Sequence, residues 1–128
     1  MEYILYPFGA IAALLTFLLQ HKMKMNVVVA SALPSFVLAL LFHFIDFEWS
    51  DSVLTVVFTA SFVGMSATNF NSLEIALAGV ISSFLVLNFP PMYTGFGGGM
   101  GTSAFLSIIF CFGLVTLYTR VKAKRKAK

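Results

Sequence analysis

Charge is what this chain has least of. Of its 128 residues only 10% are Asp, Glu, Lys or Arg, while 59% are hydrophobic and 16% aromatic; a water-soluble domain carries about 25% charged residues. Stretches with no charged side chain run from Tyr3 to Gln20, Met25 to Ile45, Ser52 to Leu73 and Ile75 to Thr119, and about 20 apolar residues are enough to cross a bilayer core. The shortage excludes a water-soluble fold and, at this length, leaves no room for a separate extramembrane domain with a large active site. Cysteine is nearly missing as well. Cys111 is the only one, which excludes an intramolecular disulfide and a thiolate metal cluster. The two histidines, His21 and His43, fall on opposite expected sides of the membrane without ligand spacing, so no metal site is expected.

Basic and acidic groups are also missing from the middle of every span. A serine or threonine nucleophile there has no base to activate it, and a coupled pump or proton relay has no carboxylate to carry its proton. The chain is therefore read as a non-enzyme without a cofactor. No Lys or Arg precedes the apolar part of MEYILYPFGA, so the basic n-region of a cleaved signal peptide is lacking and the first span is expected to be retained.

What is present is long unbroken apolar sequence. A membrane barrel would instead show in-out alternation in segments of about 10 residues, so the fold class is all-α, a polytopic integral membrane helical bundle. The runs divide into five spans, Tyr3 to Leu19, Asn26 to Phe44, Ser52 to Ala67, Leu73 to Phe89 and Thr102 to Thr119. The third is short enough to be a re-entrant half-crossing. Residues 1–119 make one transmembrane domain and residues 120–128 a basic cytoplasmic tail.

Orientation follows from the cations. Lys22 and Lys24 lie in the first loop, and Arg120, Lys122, Lys124, Arg125, Lys126 and Lys128 form the tail; Lys and Arg in short loops favour the cytoplasmic side. An even number of crossings must then separate loop from tail, which five spans satisfy and four do not. The loop with Asp46, Glu48 and Asp51 falls on the opposite side, giving N-out, C-in. The tail is expected to contact anionic lipid head groups rather than nucleic acid, since no folded domain beside it could read a nucleic acid's shape. A bacterial-type inner (cell) membrane is the expected location.

Local signals mark several helix ends. Asn71-Ser72-Leu73-Glu74 has capping-box spacing, Thr102 after Gly101 suits an N-cap, and Ser50 or Asp51 suits the third span. Pro34 falls inside span two, predicting a kink flanked by Ser31 and Ser35, either a hinge or a static bend.

Small residues recur at four-residue spacing: Gly9 and Ala13, Ala60 and Gly64, Gly79 and Ser83, Ser103, Ser107 and Cys111. In lipid such faces, not the hydrophobic effect, bring helices together, so Ala60, Gly64, Gly79, Ser83 and Ser107 are read as packing positions. Five thin helices with several such faces point to a homo-oligomer or to docking on another integral membrane protein.

The stretch PPMYTGFGGGMGTSAF, residues 90 to 105, holds five of the nine glycines. It lacks the Gly-Lys-Ser/Thr ending of a P-loop and the GxGxxG spacing, so it is no nucleotide loop. It is either a filter or vestibule cap that dips into the bundle or a plain turn between helices. SFVGMSAT (61 to 68) and GGGMGTSA (97 to 104) echo each other, as interrupted elements of transporter repeats do. The candidate path for an ion or small solute is therefore Thr55, Thr59, Ser66, Gly97, Gly98, Gly99, Gly101, Thr102 and Ser103. His43 and Asp46, three apart, are a candidate pair at the outer mouth, with a hydrated interfacial histidine as the plainer alternative. In size, in its small-residue spans and in a Gly-rich stretch entering a Ser/Thr-bearing helix, here GMGTSAFLS, the chain resembles the small dual-topology fluoride channels. Those have four spans, an early arginine and a phenylalanine-rich box after their glycines. This chain has neither the arginine nor the box, and no residue is carried over from them. A channel or transporter subunit, or a non-catalytic accessory subunit of a larger membrane complex, are the two function classes left.

Overall fold

A computed structural model describes residues 2–46, 48–65, 70–89 and 98–128. It is all helical, with no strand among the described residues. A short 3-10 helix, Glu2–Ile4, leads into five α-helices: α1 (Tyr6–Lys22), α2 (Val27–Phe44), α3 (Ser50–Gly64), α4 (Ser72–Asn88) and α5 (Gly99–Lys126). Among the described residues, α2 and α5 are the helices both long and apolar enough to cross a membrane. α3, with 15 residues, measures about 22 Å at 1.5 Å per residue.

The centre is built from α1, α3 and α4, fused through residues without bulk. α1 and α4 run antiparallel with Gly9 against Gly79: a Cβ on either glycine would stand 2.7 Å from the other's carbonyl oxygen. The same contact line takes in Ala13 and Ser83. α3 meets α1 at Gly64, where a Cβ would lie 2.6 Å from both the Ala13 carbonyl oxygen and the Thr16 Cβ. Backbones this close leave no space for a methyl group, and dispersion summed over such seams contributes to holding the helices together.

α2 and α5 flank this centre. α2 buries only Ala30, Ser31 and Ser35, and α5 buries the seam Gly99, Ser103, Ala104, Ser107 and Cys111. At Phe112 α5 still touches the bundle, its ring 6.2 Å from that of Phe70. From Leu117 onward every residue is exposed, and the helix projects alone.

Several sequence-based boundaries are corrected. α5 starts at Gly99 with Gly98 as N-cap, not at Thr102. The Thr102 hydroxyl and amide both donate to the Gly98 carbonyl oxygen at 2.9 Å, so the threonine serves the interior of the first turn. α5 also ends at Lys126 rather than Thr119: Lys, Arg and Ala are good helix formers, and cations suit a helix C-terminus. Residues 120–126 thus continue the helix beyond the apolar run. The N-cap of α3 is Trp49, with no side-chain bond, in place of Ser50 or Asp51. At α4 the capping box is formed, and the Glu74 carboxylate accepts from the Asn71 amide at 3.1 Å. Pro34 lies within a continuous α2. The flanking hydroxyls bond Val28 and Ser31 carbonyls, at 3.0 and 3.4 Å, and leave the Ala30 carbonyl, which the proline deprives of its partner, untouched.

Candidate functional site

The helices place the sequence-derived path residues in three different settings. Thr55 borders a cavity of about 460 Å³ between α2, α3 and the start of α5, together with Ala32, Ser35, Phe36, Phe58 and Met100. The hydroxyl of Thr55 donates to the Asp51 carbonyl at 2.7 Å, so the wall it presents is apolar. Thr59 and Ser103 are fully buried and donate to Thr55 and Gly99 carbonyls at 2.8 and 3.1 Å. Thr102 is exposed, and Cβ atoms at Gly98 and Gly101 would meet nothing within 4 Å. Gly99 is buried in the α5 seam. Ser66 and Gly97 lie outside the described residues, as does the first half of PPMYTGFGGGMGTSAF, residues 90–97. Spans three and five do pack together, but the described side chains of the path do not converge on one polar channel inside the chain.

His43 and Asp46 are both exposed at the end of α2. The His43 ring lies edge-on to Phe44 at 5.7 Å, and no hydrogen bond or ion pair joins the histidine to the aspartate. Ala60, Gly64, Gly79, Ser83 and Ser107 are all buried between helices. The basic residues from Arg120 to Lys128 are exposed throughout, with the Lys122 ammonium 6.0 Å from the centre of the Tyr118 ring.

No family model, curated protein or solved structure matches this chain. Its chemistry has to be read from its own atoms.

Those atoms single out a place that sequence reasoning missed. Among the described residues nine serines and threonines are buried. Eight of them, Ser31, Ser35, Thr59, Ser61, Ser82, Ser83, Ser103 and Ser107, donate to a carbonyl three or four residues back in their own helix. Thr16 does not. Its Oγ1 is buried without a partner, and so are Gln20 Oε1 and His21 Nε2. Thr16 is held by Gly64, against which its Cβ and methyl are pressed. His21 is held by Phe17: the rings stack at 4.1 Å, and the Nδ1 atom sits 2.9 Å from the Phe17 carbonyl oxygen. A carbonyl only accepts, so Nδ1 carries a hydrogen in this contact, and in the neutral ring Nε2 then presents a lone pair. Three open polar atoms thus occupy the last two turns of α1.

The depth of this place can be gauged along α5. Cys111 Sγ donates to the Glu74 carbonyl oxygen at 3.4 Å, which puts Cys111 level with the first turn of α4. Nine residues, about 13 Å of helix, then separate it from Arg120. The ends of α3 and α4 and the Thr16 turn therefore stop well short of the basic end of α5.

A second cavity, of about 480 Å³, is bordered by Ile4, Phe8, Leu38, Phe42, Trp49 and Val53. Like the first it is apolar. Among the described residues no cluster of His, Cys, Asp and Glu could hold a metal ion.

Proposed function

We propose that the chain is a polytopic integral membrane protein of a bacterial-type inner membrane, N-out and C-in, that contributes to a path for an ion or small solute as an oligomer. Support for embedding comes from an inverted distribution of side chains. Buried positions are dominated by Gly, Ala, Ser, Thr and Val, while Phe36, Phe44, Phe105, Phe110, Phe112 and Leu117 are exposed, Phe44 by 83%. Contiguous apolar surface on this scale is foreign to soluble monomers and is what lipid requires.

The observation that carries the transport reading is the trio of open polar atoms at Thr16, Gln20 and His21. In a bilayer a buried polar group without a partner costs several kcal/mol, and polar groups kept at such cost mark substrate and ion routes. The charge-free span interiors suit a passive path rather than a proton-coupled pump. The test is reconstitution of the purified chain in liposomes, with ion and small-solute flux compared to empty vesicles. A defined oligomer without any flux across a broad panel of solutes overturns this reading.

A second reading, a non-catalytic subunit of a larger membrane complex, is favoured by the shallow attachment of α2 and the apolar cavities on either side of it. Stoichiometric co-purification with another membrane protein in mild detergent, and no flux alone, would support it.

A further inference from the structure

We infer that the cleft bordered by Phe8, Leu38, Phe42, Trp49 and Val53 holds an acyl chain of a membrane lipid, and that the lipid it takes has an amine-bearing, zwitterionic head of the phosphatidylethanolamine type rather than an anionic one. The inference rests on the chain being embedded in a bilayer, not on its passing a solute.

The cleft gives such a chain a place to sit. Its volume of about 480 Å³ falls within the roughly 300–1,000 Å³ of ligand pockets. The start of α1, the second half of α2 and the start of α3 wall it. Leu5 and Val53 are its buried floor, while Ile4, Phe8 and Ile45 are exposed at its rim. Leu38 lies seven residues before Ile45, about 10 Å of helix, so the cleft extends along α2. Its walls expose no polar atom. Water finds no partner in such a space, and a void forfeits the dispersion contacts of its lining. A flexible hydrocarbon chain supplies them.

Aromatic residues set the level of the mouth. Trp49 borders the cleft, and Tyr3, next to Ile4, meets the Tyr6 ring edge-on at 6.0 Å. Trp and Tyr concentrate where lipid heads pass into their chains. A lipid whose chain enters the cleft therefore has its head beside the turn between α2 and α3.

Charge at that turn selects the head. Asp46 follows Ile45, Glu48 precedes Trp49, and Asp51 stands two residues before Val53; all three are exposed. There is no Lys or Arg ahead of Lys22 or between Lys24 and Arg120. Lys22 is at the other end of α1, fourteen residues from Phe8, about 21 Å of helix and beyond the Debye length of about 10 Å. Three carboxylates without a cation beside them repel a net-negative head. They attract an ammonium, whose N–H groups form charge-assisted bonds to carboxylate oxygens. Among the described residues they do not gather into a group that could hold a metal ion.

The experiment follows the thermal midpoint of the full-length chain in detergent while phosphatidylethanolamine or phosphatidylglycerol with identical acyl chains is titrated in. Phosphatidylethanolamine is expected to raise the midpoint saturably, at a half-saturating concentration at least fivefold below that of phosphatidylglycerol. Glycerophosphoethanolamine, the same head without chains, gives no rise. Leu38→Phe puts bulk into the cleft and is expected to raise half-saturation by phosphatidylethanolamine at least tenfold. The triple variant Asp46→Asn, Glu48→Gln, Asp51→Asn changes only exposed side chains, and so reads the site even where the cleft variant disturbs folding; it is expected to bind both lipids alike. Equal half-saturation by the two lipids in the unaltered chain, a rise with the chainless head, or selectivity kept by the triple variant overturns the inference. Binding is read here without flux. Flux of a solute with no lipid selectivity would sink this inference alone, and selective lipid binding with no flux of any solute would sink the transport reading alone.

Discussion

Gly9 and Gly79 face each other across α1 and α4 so closely that neither helix has space for a single added carbon: a Cβ on either would stand 2.7 Å from the other's carbonyl oxygen. Backbone cannot step aside as a flexible side chain can. Gly79→Val is therefore expected to destabilise the fold by about 3 kcal/mol, at the upper end of overpacking costs. Thermal unfolding in detergent reads this as a large drop in midpoint or as failure to fold. A wild-type midpoint would show that α1 and α4 are not so joined.

Gly101 and Gly113 give the opposite outcome. Both are in α5, and a Cβ on either meets nothing within 4 Å. Gly→Ala at each is expected to stabilise by about 0.5–1 kcal/mol through helix propensity alone. Loss of stability at both positions would mean that α5 packs closely against something not contained in one chain, which a cross-linking assay would then detect.

The capping box at α4 sets a third expectation. Glu74→Ala removes the acceptor for the Asn71 amide, and Asn71→Ala removes the cap itself. Each is expected to cost about 1 kcal/mol, and the double variant less than the sum, because both act on one helix end. Strict additivity in a double-mutant cycle would show that the two side chains act separately.

Lys24 closes the turn after α1 with φ at 50°. A lysine there carries roughly 1–2 kcal/mol of steric cost, against a glycine entropy penalty of roughly 0.5–1 kcal/mol. Lys24→Gly is expected to gain about 0.5 kcal/mol. A loss would place the lysine's side chain in a contact that outweighs its backbone.

Topology is open to a labelling test. With Cys111→Ala as background, a cysteine at Asp46 is expected to react with an impermeant thiol reagent from outside the cell, and one at Lys126 only after the membrane is opened. Labelling of both from one side would overturn the five-crossing arrangement.

Helix content was legible from the charge-free runs, and the cap at Asn71 from its spacing to Glu74. The start of α5 was not, because a threonine after glycine resembles a cap in sequence, whereas here its hydroxyl bonds the Gly98 carbonyl from inside the first turn. The helical tail was hidden by its charge, which signals solvation as readily as it signals a good helix former. The Thr16 site escaped for a deeper reason. Gln20 and His21 close the first apolar run and look like interfacial residues. What the Thr16 Cβ and methyl are pressed against is Gly64, 48 residues later in the chain, and no local pattern encodes that meeting.

Because α5 runs unbroken from Gly99 to Lys126, its basic end is geared to its buried seam. Arg120, Lys124 and Lys128 recur every four residues, as do Ser103, Ser107 and Cys111. A twist of a few degrees at the seam, where only small side chains resist it, must therefore swing the positive charges at the far end through the same angle. The helix is a shaft, and the basic residues are its pointer.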